Sequence, residues 1–298
     1  MPGVLGTSVP KENNSTLRTR GWEISLNWKH ALENGLSYNL GISLYDYKSV
    51  VTKYFNPTGT LSTWYEGAEV GDIWGYTVND LFRSQEDLDS YLSKVDMTHI
   101  AANWNTGDLK YEDINHDGKV NNGTNTIGNH GDLSVIGNDQ PHYQYTINGG
   151  VSYKGFDFSM LWRGVAKKDM YFYRGSNIYW GFMGGWWESC LTPEHLDYFR
   201  DQPGSKYSGL YEGDANINTD AYWPRPYLNN TEEAKNKNHA NTRYLQNAAY
   251  LRLQNVQLGY SFPRSITSKM HLEKLRIYFS GENLLTFSKL PSGIDPVA

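Results

Sequence analysis

The 298-residue sequence is poor in cysteine, in long apolar runs and in hydrophobic residues overall. Its single cysteine, Cys190, cannot form an internal disulfide. No apolar run is long enough for a transmembrane helix. Hydrophobic residues make up 39% of the chain, which is below the usual globular level. These shortages exclude a disulfide scaffold and a helical membrane protein.

Signatures of catalysis and of targeting are missing too. The chain has no GxSxG, HExxH, P-loop or CxxC pattern, so we predict that it is not an enzyme. A β-rich glycoside hydrolase stays open as an alternative, although nothing in the sequence fixes the separation of its acidic residues. A net charge of -5 argues against nucleic acid as a partner. The opening residues, MPGVLGTSVP, lack the basic region and apolar core of a signal peptide. Two interpretations remain: a cytoplasmic protein, or a piece of a longer protein whose export signal lies upstream.

The sequence is rich in short stretches that alternate strictly between apolar and polar residues. Alternation with period 2 is typical of β-strands, and the upper part of the fifth stretch, with Leu251 and Leu253, is out of phase, which predicts a bulge. The six predicted strands are 22–30, 36–44, 143–153, 156–163, 250–262 and 275–287.

The connections between these strands are of two kinds. ENG (33–35), YKG (153–155) and residues 263–273 are short turns, whereas about 45–141 and about 165–248 are very long loops. Short turns on one side and long loops on the other are typical of an outer-membrane β-barrel. The polar strand faces hold mostly Ser, Asn, Thr, Gln and Gly, which suits a hydrated lumen. The alternative is a soluble β-sandwich that binds carbohydrate, in which the apolar strand faces would pack on each other.

Several stretches resemble SusC/RagA-type TonB-dependent outer-membrane transporters of Bacteroidetes, in that family's order. They are LGTSVPKENNSTLRTRGWEISLNWKH (5–30), GDIWGY (71–76), GDLKYEDINHDGKV (107–120), VIGNDQPHYQYTINGGVSYKGFDFSM (135–160), YLRLQNVQLGYSFP (250–263) and LRIYFSGENLLTFSKLPSGIDP (275–296). The resemblance implies an all-β fold, part of a large antiparallel transmembrane β-barrel with long external loops containing short helices. Residues 1–298 would be an incomplete C-terminal part of that barrel, without the plug, the N-terminal barrel strands and the closing strand.

The function that the resemblance implies is TonB-dependent uptake across the outer membrane. Its partners would be a SusD-like lipoprotein, TonB through the absent plug region, and outer-membrane lipid. Oligosaccharides are the favoured cargo, and oligopeptides are the alternative because RagA-like members carry peptides.

One external loop carries the start of a calcium-binding pattern. Oxygen ligands at positions 1, 3, 5 and 7 with Gly118 at position 6 suit a hard divalent cation, but position 12 is Thr124 instead of a bidentate carboxylate. Two interpretations fit: a bound Ca²⁺, or Asx-turns that hold the loop without metal. The predicted ligands are Asp113, Asn115, Asp117, the Lys119 carbonyl and Asp132, which would fold back to replace the missing carboxylate.

Aromatic residues concentrate in the two long loops. Exposed Trp and Tyr rings suit stacking on sugars or docking of a partner, while loops of this size also use such rings as their own small cores. The predicted substrate- or partner-binding residues are Trp64, Trp74, Tyr76, Trp104, Trp180, Trp186, Trp187 and Trp223.

Overall fold

The structure, a computed structural model, describes residues 14–173, 177–184, 190–206, 211–227 and 230–297. Its strands within these ranges are β1 (Ser15–Ala31), β2 (Ser37–Tyr54), β3 (Asp72–Tyr76), β4 (Val78–Leu81), β5 (Leu109–Tyr111), β6 (Leu133–Asn138), β7 (His142–Tyr153), β8 (Phe156–Lys167), β9 (Asp169–Met170), β10 (Gln246–Asn247), β11 (Tyr250–Ser261) and β12 (Arg276–Ser288). Its α-helices there are α1 (Gln85–Leu92), α2 (Asn177–Trp180), α3 (Asn230–Lys237) and α4 (Arg264–Thr267), and its 3-10 turns are Gly181–Gly184, Pro193–Leu196, Asp214–Asn216 and Ser268–Met270.

The long strands form one antiparallel sheet in the order β1-β2-β7-β8-β11-β12, which we call the main sheet. All six predicted strands are present in it. β1 and β2 are longer than predicted, at 17 and 18 residues, so the first long loop begins after Tyr54 and not near residue 45. Pairing with β1 continues to Tyr54 although the side chains of β2 stop alternating between apolar and polar beyond Leu44. Alternation therefore marked only the apolar part of this hairpin.

Short turns join the long strands at one end of the main sheet. Tyr153 pairs with Phe156, and the two residues between them, Lys154 and Gly155, have φ angles of 47° and 91°. Two successive residues with positive φ define the type I′ turn that suits the right-handed twist of a hairpin. The end of the main sheet with these connections is called the short-turn end below.

The predicted bulge in β11 is confirmed. The register of β11 shifts between Leu253 and Asn255 against both of its neighbours. Above the shift Leu253 pairs with Trp162, and below it Val256 pairs with Met160, so all of these residues lie on one face. The extra residue thus returns the out-of-phase leucine to the apolar side.

The two faces of the main sheet differ in chemistry. On one face, Leu26 is 66% exposed and Phe279 is 72% exposed, and no described segment covers them. On the other face, hydroxyl groups meet across strands, with Ser25 and Ser43 at 2.9 Å and Ser37 and Ser152 at 2.7 Å. In a soluble sandwich that face would be the packed core, whereas the described residues leave it open. An open apolar face opposite a polar one is the arrangement of a lipid-facing barrel wall with a polar lumen.

The long loops fold together above the main sheet. We call the described residues of 55–141 and 168–249 the loop layer; their buried side chains form one hydrophobic core with contributions from both loops. Helix α1 begins at Gln85 because the Ser84 hydroxyl caps it, accepting a hydrogen bond from the Asp87 N–H at 3.2 Å. Among the described residues, no helix is long and apolar enough to cross a membrane.

Candidate functional site

Aromatic rings from both loops form the core that holds the loop layer together. Trp180 and Tyr179 meet edge to face at 5.2 Å between ring centroids, and Trp223 stacks on Tyr244 at 5.5 Å with an interplanar angle of 15°. The Trp180 indole N–H donates to the Phe172 carbonyl at 2.6 Å. Offset and edge-to-face ring pairs of this kind stabilise a core beyond the area that they bury.

A buried ion pair connects the two loops near this core. The Lys235 ammonium lies 2.7 Å from Asp108, and both side chains are 0% exposed. The Asp108 carboxylate also accepts hydrogen bonds from the Asn236 amide at 2.9 Å, the Tyr227 hydroxyl at 2.8 Å and the Asn105 N–H at 2.8 Å. With four partners, the buried carboxylate is fully satisfied.

Two adjoining clefts lie at the base of the loop layer, and we call them together the groove. Their volumes are about 490 and 580 Å³, and they share Leu61, Asp72, Trp74 and Asp139. The other lining residues used below are Trp64, Tyr65 and Glu69 in the first cleft and Lys168, Asp169 and Tyr173 in the second. Cavities of 300–1,000 Å³ are of the size that encloses a small ligand.

Hydrogen bonds fix the polar side chains of the groove. The Trp74 indole N–H donates to the Tyr65 hydroxyl at 3.2 Å. Asp72 accepts from the Asn138 amide at 3.1 Å and from the Glu69 N–H at 3.1 Å. Burial raises the pKa of Asp72, and these two hydrogen bonds oppose that change. Glu69 forms an ion pair with Lys48 at the rim. The groove thus combines flat aromatic faces with carboxylates that hydrogen bonds and an ion pair fix in position.

The predicted binding residues fall into three sets. Trp64, which is 42% exposed, and the half-buried Trp74 both line the groove. Trp104 is half-buried and packs against the core, and Tyr76, Trp180 and Trp223 are buried within it. Burial favours a packing role for this second set. Trp186 and Trp187 lie outside the described residues.

Other residues of the groove were not among the predicted ones. Tyr65 and Tyr173 are among the many aromatic residues of the long loops. Residue type alone cannot tell an aromatic side chain that lines the groove from one that is buried in the core. No local sequence pattern marks Asp139 and Asp169 as groove residues. They are brought to the groove by the pairing of β3 with β6 and of β9 with β10, which join segments far apart in the chain.

The predicted calcium loop closes on itself through its own backbone. The Asp113 carboxylate accepts from the Asp117 N–H at 3.2 Å and the Gly118 N–H at 2.8 Å. The Asn115 side chain accepts from the same Asp117 N–H at 3.0 Å, and Asp117 accepts from the Lys119 N–H at 2.9 Å. These are Asx-type contacts. In the described residues, no group of three or more His, Cys, Asp or Glu side chains is arranged to hold a metal ion.

Asp132 folds back on this loop as predicted, but toward backbone amides. Its buried carboxylate accepts from the N–H groups of Ile114 at 2.9 Å, Asn115 at 3.4 Å and Asn121 at 2.8 Å. A carboxylate that accepts three N–H bonds can hold the loop together without a cation.

Chelation therefore tests the two interpretations of the calcium loop. We expect the melting temperature of the purified protein to be the same in EDTA and in millimolar CaCl₂, since the loop satisfies its own carboxylates. Asp132→Ala should lower it in both buffers, because the N–H groups of Ile114, Asn115 and Asn121 lose their acceptor at a cost of about 0.5–1.5 kcal/mol each. A bound Ca²⁺ at 100 times its dissociation constant would instead stabilise the protein by about 2.7 kcal/mol, and a rise of that size with calcium would contradict this expectation.

The chain was compared with known proteins. No protein-family model matches it. It is 23% identical to TonB-dependent receptor P3 of Formosa agariphila over 317 residues, covering 100% of this chain and 27% of that protein. TonB-dependent receptor P26 of the same organism is 23% identical over 300 residues, covering 97% of this chain and 26% of that protein. The chain thus spans about a quarter of the length of the curated relatives that it matches.

Solved structures agree with this result. The RagAB peptide transporter matches with a TM-score of 0.62 and 17% identity, covering 99% of this chain and 28% of that chain. The RagAB peptide importer in the open-open state gives a TM-score of 0.60 at 16% identity over the same shares. At this identity the match shows the fold alone. The chain is therefore similar along its whole length to TonB-dependent receptors, and its main sheet is part of an outer-membrane β-barrel with the fold seen in RagAB.

Proposed function

We propose that the chain supplies part of the barrel wall and of the external mouth of a TonB-dependent transporter that takes up oligosaccharides with a SusD-like lipoprotein. The observation that carries this proposal is the groove, where aromatic faces and carboxylates lie together at the base of the loop layer. The relatives named TonB-dependent receptors support the transport mechanism. TonB itself would act through a plug region that the resemblance does not place in this chain.

The chemistry of the groove suits a sugar. Trp64, Tyr65 and Trp74 offer rings with an apolar face and a polar edge, on which the C–H face of a pyranose can stack. Asp72 and Asp139 supply acceptors for hydroxyl donors. These five side chains belong to the first long loop, and the second cleft adds Lys168, Asp169 and Tyr173 from the second, so the ligand would be held between the two long loops.

The main sheet needs further strands to form a transporter. In the described residues β1 and β12 are edge strands, and each leaves a row of backbone N–H and C=O groups unpaired. Such an edge is not tolerated in lipid, because no water is available to satisfy it. We infer that both edges pair with strands outside the described residues and close a larger barrel.

Oligopeptides are the alternative cargo, and the charge of the groove favours them. Four carboxylates line the two clefts, and Lys168 is the one cation among the described lining residues; the carboxylates are Glu69, Asp72, Asp139 and Asp169. An acidic groove can bind the amino terminus or the Lys and Arg side chains of a peptide. The structural neighbour RagAB is described as a peptide transporter.

A tryptophan substitution tests the groove. We expect Trp74→Ala to weaken oligosaccharide binding by about 30-fold, which corresponds to about 2 kcal/mol for an aromatic contact at the centre of a site. Binding is measured by calorimetry on protein purified from outer membranes, with a panel of oligosaccharides and of oligopeptides. The matched control is Trp28→Ala, which removes a lipid-facing indole at the other end of the main sheet. Equal losses in both variants, or binding by neither ligand class, would reject the groove as the site.

The raised pKa of Asp72 gives a pH dependence. Burial raises this pKa, so the carboxylate takes up a proton at a higher pH than an exposed aspartate does. As an acceptor for ligand hydroxyls it acts in the ionised form, so binding should be complete at neutral pH and be lost as pH falls through this raised value. Asp72→Asn should abolish the pH dependence in titrations between pH 4 and 8. A profile that is the same in both proteins would show that another group titrates.

A further inference from the structure

The connection between β11 and β12 presents apolar side chains at the short-turn end of the main sheet. We call residues 263–275 the interfacial turn; it contains α4 and the 3-10 turn that follows it. Ile266, Met270 and Leu272 are exposed on it, at 44%, 54% and 42%. Exposed apolar side chains gathered on one short connection suit a lipid environment.

An apolar cleft of about 420 Å³ adjoins the interfacial turn. Phe156 and Tyr260 meet in it at 4.5 Å between ring centroids, and Tyr260 and Phe262 at 4.9 Å. The Phe262 N–H donates to the Leu275 carbonyl at 2.9 Å, which joins the cleft to the end of the interfacial turn. The cleft includes Leu258, which pairs with Phe279 on the exposed apolar face. It therefore opens to the lipid and not to the lumen.

The interfacial turn is also positively charged, in contrast to the rest of the chain. It carries Arg264, Lys269 and Lys274 against one acid, Glu273, while the whole chain has a net charge of -5. Within the described residues, no carboxylate lies within ion-pair distance of these three cations. The next cation along the chain, Arg276, is by contrast paired with Asp157 at 2.5 Å. Three cations without a contact ion pair among the described residues, beside an apolar cleft, suit a ligand with an anionic head and an apolar tail.

We propose that the interfacial turn and the adjoining cleft bind an anionic phospholipid of the leaflet at the short-turn end. The acyl chain lies in the aromatic cleft, and the phosphate lies against Arg264, Lys269 and Lys274. Aromatic residues at this depth and basic residues just beyond them are the two groups that membrane proteins place at the lipid–water boundary. The site rests on the barrel fold and does not depend on which cargo the transporter carries.

Native mass spectrometry of the complete protein, purified from outer membranes in detergent, tests the site. The protein is titrated with phosphatidylglycerol and, separately, with phosphatidylcholine. In the variant R264Q/K269Q/K274Q we expect the affinity for phosphatidylglycerol to fall at least about tenfold, because each basic residue near an anionic surface contributes measurably to attraction. The matched control K53Q/K94Q/K289Q removes three exposed cations from the loop end of the chain and should leave that affinity unchanged.

A second variant tests the apolar half of the site. Leu258→Ser combined with Ile277→Ser, which changes two exposed side chains that line the cleft, should weaken the binding of both lipids, whereas the charge variant should affect only phosphatidylglycerol. Heat-modifiable migration on gels, measured for every variant, shows whether the barrel is folded. Equal affinity of folded wild type and charge variant for phosphatidylglycerol would overturn the proposal, as would an equal loss in the loop-end control. Cargo binding does not enter these measurements, so their failure would leave the transport proposal standing.

Discussion

Lys235→Met is expected to open the loop layer. The substitution keeps the length of the side chain but removes its charge, so the Asp108 carboxyl group stays at 0% exposure without its cation. Removing one partner of a buried ion pair costs about 3–5 kcal/mol, because the remaining charge stays desolvated. The hydrogen bond from the Lys235 ammonium to the Asn103 carbonyl, at 2.8 Å, is lost as well.

Hydrogen exchange detects this opening locally. Amides of residues 103–111, around Asp108, should lose about two to three orders of magnitude of protection, while those of the main sheet should not change. Lys48→Met is the matched control, because Lys48 is paired with Glu69 but its side chain is 59% exposed. Exposed pairs of this kind contribute about 0–1 kcal/mol. Similar exchange in the two variants would show that burial does not set the strength of the Lys235–Asp108 pair.

Trp180→Ala should have an effect of similar size through packing. Trp180 is 0% exposed and contacts Trp223 at 5.8 Å and Tyr244 at 5.0 Å between ring centroids. Replacing a buried tryptophan by alanine costs about 3–5 kcal/mol, since the lost contacts leave a cavity that the surroundings fill only in part. The Phe172 carbonyl would also lose its indole donor.

The comparison with Trp64→Ala separates the two roles that the sequence left open for the loop tryptophans. Trp64 is 42% exposed at the groove, so its removal should change the melting temperature little and weaken ligand binding. Trp180→Ala should lower the melting temperature by several degrees when followed by scanning fluorimetry in detergent. If Trp64→Ala destabilised the protein as much as Trp180→Ala, the assignment of Trp64 to ligand contact would fail.

The strands were predictable from the sequence because their two faces meet different environments, so apolar and polar residues alternate along each strand. Leu258 and Phe279 face hydrocarbon while Ser25 and Ser43 face the lumen, and a period of two exposes this difference. The bulge beside Leu253 was predictable for the same reason, as a break in that period. The predicted strand ended at Leu44, because β2 continues beyond that residue where neither of its faces meets lipid.

The groove could be predicted only in part. Trp64 and Trp74 were predicted because they are loop tryptophans, but the same criterion also chose Trp180 and Trp223, which are buried. Whether a loop tryptophan lines a cleft or fills a core depends on which distant segments pack on it. Asp139, for example, lies in the groove because its neighbours on β6 pair with β3, about 65 residues earlier in the chain.

The length of the β1–β2 hairpin has a mechanical consequence. An 18-residue strand at about 3.3 Å per residue and a tilt of about 45° rises roughly 40 Å, well above the apolar band of about 25 Å. Its upper part is clamped to the first long loop, with the Val51 N–H donating to the Ala68 carbonyl and the Val70 N–H to the Ser49 carbonyl, both at 2.9 Å. The side of the groove that Trp64 lines is thus fixed relative to the barrel, because its loop is hydrogen-bonded to the upper part of β2.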